Sequence, residues 1–93
     1  MTSLQSVATK IIRYQERVIG PLAWSEAGKV QGLKLDGRAG QIEIFGQDQM
    51  KVIDDLVAQY ERLFGKASHE VCREAAASIV ATMQPSEVPV SLR

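Results

Sequence analysis

Cysteine is nearly absent from this chain: Cys72 is the only one among 93 residues, which excludes an internal disulfide. Thin-cored secreted domains usually carry several, so a reducing, intracellular setting is expected. The opening residues, Met1-Thr2-Ser3-Leu4-Gln5, show neither a basic segment nor an apolar one. No signal peptide is expected from that pattern, and the expected location is cytoplasmic. Long apolar runs are missing too. Crossing a bilayer takes ~20 apolar residues in a row, so no membrane span is expected.

Charge of one sign is also lacking: 11 basic and 11 acidic residues give a net charge of +0. Proteins that bind nucleic acid usually carry a surplus of Lys and Arg to neutralise phosphates, so nucleic acid is a disfavoured partner. A local basic patch remains open, because Lys10, Arg13 and Arg17 share one helical stretch. One histidine and one cysteine fall short of the four ligands that structural zinc takes. No cofactor is expected.

What is present reads as a single small α+β domain. Ninety-three residues fit one core, and a chain this short buries only about two-thirds of its unfolded surface. Thr2-x-x-Gln5 matches a capping box, in which two side chains satisfy free amides of a first helical turn. Leu4, Val7, Ile11, Tyr14 (or Gln15) and Val18 then recur every three or four residues. The pattern predicts a helix over about Ser3–Ile19. Gly20-Pro21 breaks it, since proline is costly inside a helix and nearly free at the start of the next. Leu22, Ala23, Trp24, Ala27 and Val30 predict a second helix over about Pro21–Val30.

Leu33-Lys34-Leu35-Asp36 and Gln41-Ile42-Glu43-Ile44 alternate apolar and polar residues about a glycine-bearing turn, the signature of a β-hairpin. Pairing Leu33 with Ile44, Lys34 with Glu43, Leu35 with Ile42 and Asp36 with Gln41 puts all four aliphatics on one face. It also sets opposite charges across the other. A one-residue slip mixes the faces. That face is expected to cover the groove between the first helix and a following αα-hairpin. In the helix after Gly46, Ile53, Leu56, Val57, Tyr60, Leu63 and Phe64 form a core-facing stripe. Gly65 closes it, and Ser68 is expected to cap a last helix bearing Val71, Cys72, Ala75, Ala76, Ile79, Val80 and Met83, ended by Pro85. The predicted order is αα-ββ-αα, one domain over residues 1–84. Residues 85–93 are expected to be an extended or disordered tail, with Val88, Val90 and Leu92 able to dock as a strand beside the hairpin.

The candidates for chemistry reduce to structural roles. His69 and Cys72 lie three apart on a helix, which is half a metal site at best. Cys72 falls on the apolar stripe, where burial makes a thiol inert. Gly37-x-x-Gly40 joins two strands, whereas a phosphate loop leads into a helix. Asp54 and Asp55 point about 100° apart on a helix and do not converge. No enzyme activity is expected. Trp24 at the kink, Arg38 at the hairpin tip and Phe45 at the strand end remain as a candidate interaction surface, since Trp and Arg are enriched where proteins bind one another. The open edges of a two-stranded sheet favour a homodimer. The expected function is therefore a small cytoplasmic adaptor or regulatory subunit that binds another protein. The alternative is a nucleic-acid-binding regulator using the 47–83 helix pair or the hairpin tip.

Overall fold

A computed structural model describes residues 2–36 and 41–93, with no side-chain description of Gln41. The hairpin turn and Arg38 lie outside the described residues. The architecture is the expected α+β order: α1 (Ser3–Ile19), α2 (Leu22–Ala27), β1 (Leu33–Asp36), β2 (Gln41–Ile44), α3 (Gln49–Phe64) and α4 (Lys66–Val80). Two single 3₁₀ turns follow, Pro85–Glu87 and Val90–Leu92.

Local chemistry sets the element ends. The Thr2 hydroxyl accepts from the Gln5 N–H at 3.1 Å while Gln5 Oε1 accepts from the Thr2 N–H at 2.9 Å, so the capping box is complete. Asp48 caps α3 by accepting from the Lys51 N–H at 3.0 Å. The hairpin adopts the register that the alternating pattern predicts, from Leu33 opposite Ile44 to Asp36 opposite Gln41. Leu33, Ile42 and Ile44 are buried and Leu35 is half-buried. Their face packs on α1 and α2. Gly32 permits this. Its φ is +89°, and a Cβ there would meet Val52 Cγ2 at 2.8 Å, so any other residue would be strained and would force Val52 to shift.

The core lies between α1, α3 and α4. Val7, Ile11, Ile12, Ile53, Leu56, Val57, Tyr60, Cys72, Ala75 and Ala76 are buried there. Each large aliphatic contributes roughly 1.5–3 kcal/mol by leaving water. The small residues of α4 let α1 approach closely, so Ala75 and Ala76 serve the interior of the fold.

Four expectations need correction. The second helix is shorter than predicted, six residues against about ten, and residues 28–32 continue it only as turns. The loop between α3 and α4 is a single residue, Gly65, whose φ of +85° reverses the chain. Ser68 therefore sits inside α4, buried, and does not cap it. Val18, Leu63 and Phe64 belong to the predicted apolar stripes yet are exposed; at the end of α1 it is Ile19, the next residue, that packs against the core. The segment 85–93 is neither extended nor a third strand. It packs on α3 and α4 with Val88, Pro89 and Leu92 buried.

Candidate interaction surfaces

Of the residues singled out as an interaction surface, Arg38 lies outside the described residues, and Trp24 and Phe45 stand in different settings. Trp24 is half-buried, and its Nε1 donates to Glu16 Oε2 at 2.7 Å. That bond pins α2 back against α1, which gives Trp24 a structural task. Phe45 is 49% exposed at the base of the hairpin. Its N–H donates to the Gly32 carbonyl at 2.7 Å, closing the ladder. The ring borders an open groove of about 450 Å³ shared with Gly32, Asp48, Lys51, Val52 and Asp55. Lys51 and Asp55, one turn apart on α3, pair on its lining at 2.7 Å.

Backbone alternation makes one edge of the hairpin available. The Phe45–Gly32 bond marks that pair as hydrogen-bonded, and pairs alternate along an antiparallel ladder. Lys34–Glu43 is thus the next bonded pair, and the backbones of Leu33, Leu35, Ile42 and Ile44 point outward. On the β1 side the Leu33 N–H donates to the Val30 carbonyl, and α2 runs alongside. On the β2 side the outward groups of Ile42 and Ile44 bond no described residue.

A polar cluster joins the tail to the helix pair. His69 Nδ1 lies 3.2 Å from Glu61 Oε2, and its Nε2 lies 2.5 Å from the Ser91 carbonyl. Ser91 donates from both N–H and Oγ to Asp54 Oδ1, at 3.0 and 2.5 Å. Asp54 and His69 thereby grip one residue of the tail from two helices. Sequence offered no signal for this, because the partners lie 22 and 37 positions apart.

Cys72 and His69 part company in space. Cys72 is fully buried, and burial pushes its thiol up to about 11. Gln15, also fully buried, donates Nε2 to the Ser68 carbonyl at 3.0 Å and to Cys72 Sγ at 3.4 Å. Its Oε1 meets no donor among the described residues. A thiol so shielded has neither the charge nor the access of a nucleophile. Among the described residues no three His, Cys, Asp or Glu side chains gather as a metal site. No helix there is long and apolar enough to cross a membrane.

Glu26 and Tyr60 complete the interior chemistry. Glu26 is buried and bonded to Lys29 Nζ at 3.0 Å and Gln59 Nε2 at 2.8 Å. The Lys29 bond, then the Gln59 bond, hold its carboxyl below the usual range. The Tyr60 hydroxyl donates to the Ala23 carbonyl at 2.7 Å, and burial raises its pKa. Both contacts tie α2 to the last turns of α3.

Besides Phe45 and Val90, exposed apolar residues lie on the elements that meet at one end of the molecule. Val18 is 65% exposed, Leu22 45%, Leu63 47% and Phe64 36%. Gln15 bonds Ser68, so the C-terminal end of α1 lies beside the N-terminal end of α4. Gly65 alone joins that end of α4 to the C-terminal end of α3. Tyr60 and Gln59 hold α2 there as well. Compared with protein-family models, with curated proteins and with solved structures, the chain has no significant match.

Proposed function

We propose that this chain is a small, non-enzymatic cytoplasmic interaction module, an adaptor or regulatory subunit that self-associates and binds another protein. The observation that carries the reading is the unpaired β2 edge. The outward N–H and C=O groups of Ile42 and Ile44 form a template for another strand. Ile42 and Ile44 are buried as whole residues, and β2 is backed by α1, so a pairing strand would meet this edge only along its outward backbone groups. Pairing β2 with β2 of a second copy turns two strands into four, and three or more strands are the usual minimum for a stable sheet. The exposed Phe45 ring stands at the end of this edge and supplies an apolar contact beside the backbone bonds.

The balanced charge and the acidic residues of α3, Asp48, Asp54 and Asp55, weigh against a nucleic-acid role for the α3–α4 pair. The deciding experiment is amide hydrogen exchange as a function of protein concentration, with sedimentation on the same samples. The Ile42 and Ile44 amides should gain protection as the dimer forms. A dimer that leaves these two amides unprotected, or a chain that stays monomeric throughout, refutes the edge pairing.

A further inference from the structure

Both ring nitrogens of His69 face oxygen acceptors. Nδ1 lies 3.2 Å from Glu61 Oε2 on α3, and Nε2 lies 2.5 Å from the Ser91 carbonyl of the tail. A neutral imidazole has one N–H and one lone pair, so it serves only one of these oxygens, whereas the imidazolium serves both. We infer that the tail is held by a proton-linked clasp: it docks on α3 and α4 with His69 doubly protonated, and loosens when the ring loses a proton.

The two acceptors decide which bond fails. An N–H bond to a carboxylate is roughly twice as strong as one to a neutral carbonyl, so the remaining proton stays on Nδ1 beside Glu61. Nε2 then turns a lone pair toward the Ser91 oxygen, and the repulsion falls on the tail. Ser91 is a sensitive point for it. The same residue donates its N–H and its Oγ to Asp54, so a shift of Ser91 also disturbs both of those bonds. Val88 and Pro89 lie before it and Leu92 after it, all buried, and release uncovers the part of α3 and α4 on which they pack.

The charged groups around the ring come from three helices and the tail. Glu61 of α3 is in direct contact, while Asp54 of α3 reaches the ring only through Ser91. On α4, Glu70 and Arg73 pair with each other at 3.3 Å, and Lys66 lies one turn before His69. Burial keeps the Cys72 thiol protonated through neutral pH, its pKa pushed up to about 11. In the tail Arg93 donates to the Val88 carbonyl at 3.2 Å. From α1, Gln15 reaches Ser68 and Cys72 and carries no charge, and Glu16 accepts from Trp24. Glu61 is thus the group that holds the second proton on the ring. Docking then takes up a proton, so the clasp is closed at low pH and opens as pH rises through the range of about 5 to 8 in which histidine changes charge.

His69 is the only histidine of the chain, so its ring signals are unambiguous. The full chain is titrated from about pH 5.5 to 8.5, above the range where ordinary carboxylates change charge. Nitrogen-15 shifts of the ring report the proton on each nitrogen, and amide protection factors at Leu92 and Arg93 report docking. Protection should fall about tenfold as the Nε2 proton is lost, while the Ile11 and Ile12 amides of α1 hold constant. Glu61→Gln, isosteric at a partly exposed side chain, should flatten this dependence, and His69→Gln, which donates without titrating, should abolish it. A docked tail beside a singly protonated ring, protection that does not change with pH, or full pH dependence in either variant overturns the inference. Exchange at Ile42 and Ile44 reads the β2 edge separately, so the clasp and the edge pairing can fail independently.

Discussion

Leu56 and Leu63 stand two helical turns apart on α3, both within its apolar stripe, yet Leu56 is fully buried and Leu63 is half in water. The helix treats them alike. What separates them is cover: α1 and α4 flank the middle of α3, and the tail bonds Asp54 just before Leu56. The last turn still meets α4, through Glu61 and His69, yet Leu63 and Phe64 stay exposed there. An amphipathic stripe therefore marks residues able to enter a core, while the placement of neighbouring elements decides which ones do.

The contrast can be broken from its strong side first. Leu56→Ala should cost about 2–5 kcal/mol of folding stability, because transfer energy and a cavity both count against it. Urea unfolding followed by circular dichroism measures this directly. Next in size is the tail clasp. Asp54→Ala removes the acceptor of both Ser91 bonds and should cost about 1–2 kcal/mol. Amide exchange should quicken over the last 3₁₀ turn and stay unchanged in α1. Equal protection in both proteins would mean that Val88, Pro89 and Leu92 hold the tail by packing alone.

Acid should act on the link between α2 and α3. Glu26 has a lowered pKa, so its contribution is present above the ordinary value of 4.5 and is lost as pH falls through the folded value. Thermal melts should show the native protein losing stability through that range more steeply than Glu26→Gln. Superimposable profiles would remove Glu26 from the account. The smallest effect belongs to the exposed end: Leu63→Ala should shift stability by no more than about 0.5 kcal/mol. A loss as large as that of Leu56→Ala would show that Leu63 is covered in solution, and self-association would then be the first thing to measure.

Sequence-level physics reached the elements and much of their pairing. The capping box at Thr2 and Gln5, the Gly20-Pro21 break and the hairpin register depend on neighbours a few positions apart, and each was legible. Cys72 was legible as a buried thiol because it lies on the α4 stripe. Gln15 was only half legible. Its place beside Tyr14 allowed a core position, but the Ser68 carbonyl that makes a buried amide acceptable lies 53 residues away. Trp24 was legible as an anchor of either the core or an interface, but its bond to Glu16, eight positions back, was not.

Determined by sequence alone, then, are four helices, one hairpin and the faces they wish to bury, since local hydrogen bonding and periodicity act over a single turn or a tight loop. Tertiary structure alone decided that the tail folds back onto α3 and α4, that Gln15 enters the core, and that Val18, Leu63 and Phe64 stay outside it. Burial is settled by where neighbouring elements lie against each face of a helix, and that placement is a property of the assembled fold, which no local pattern encodes.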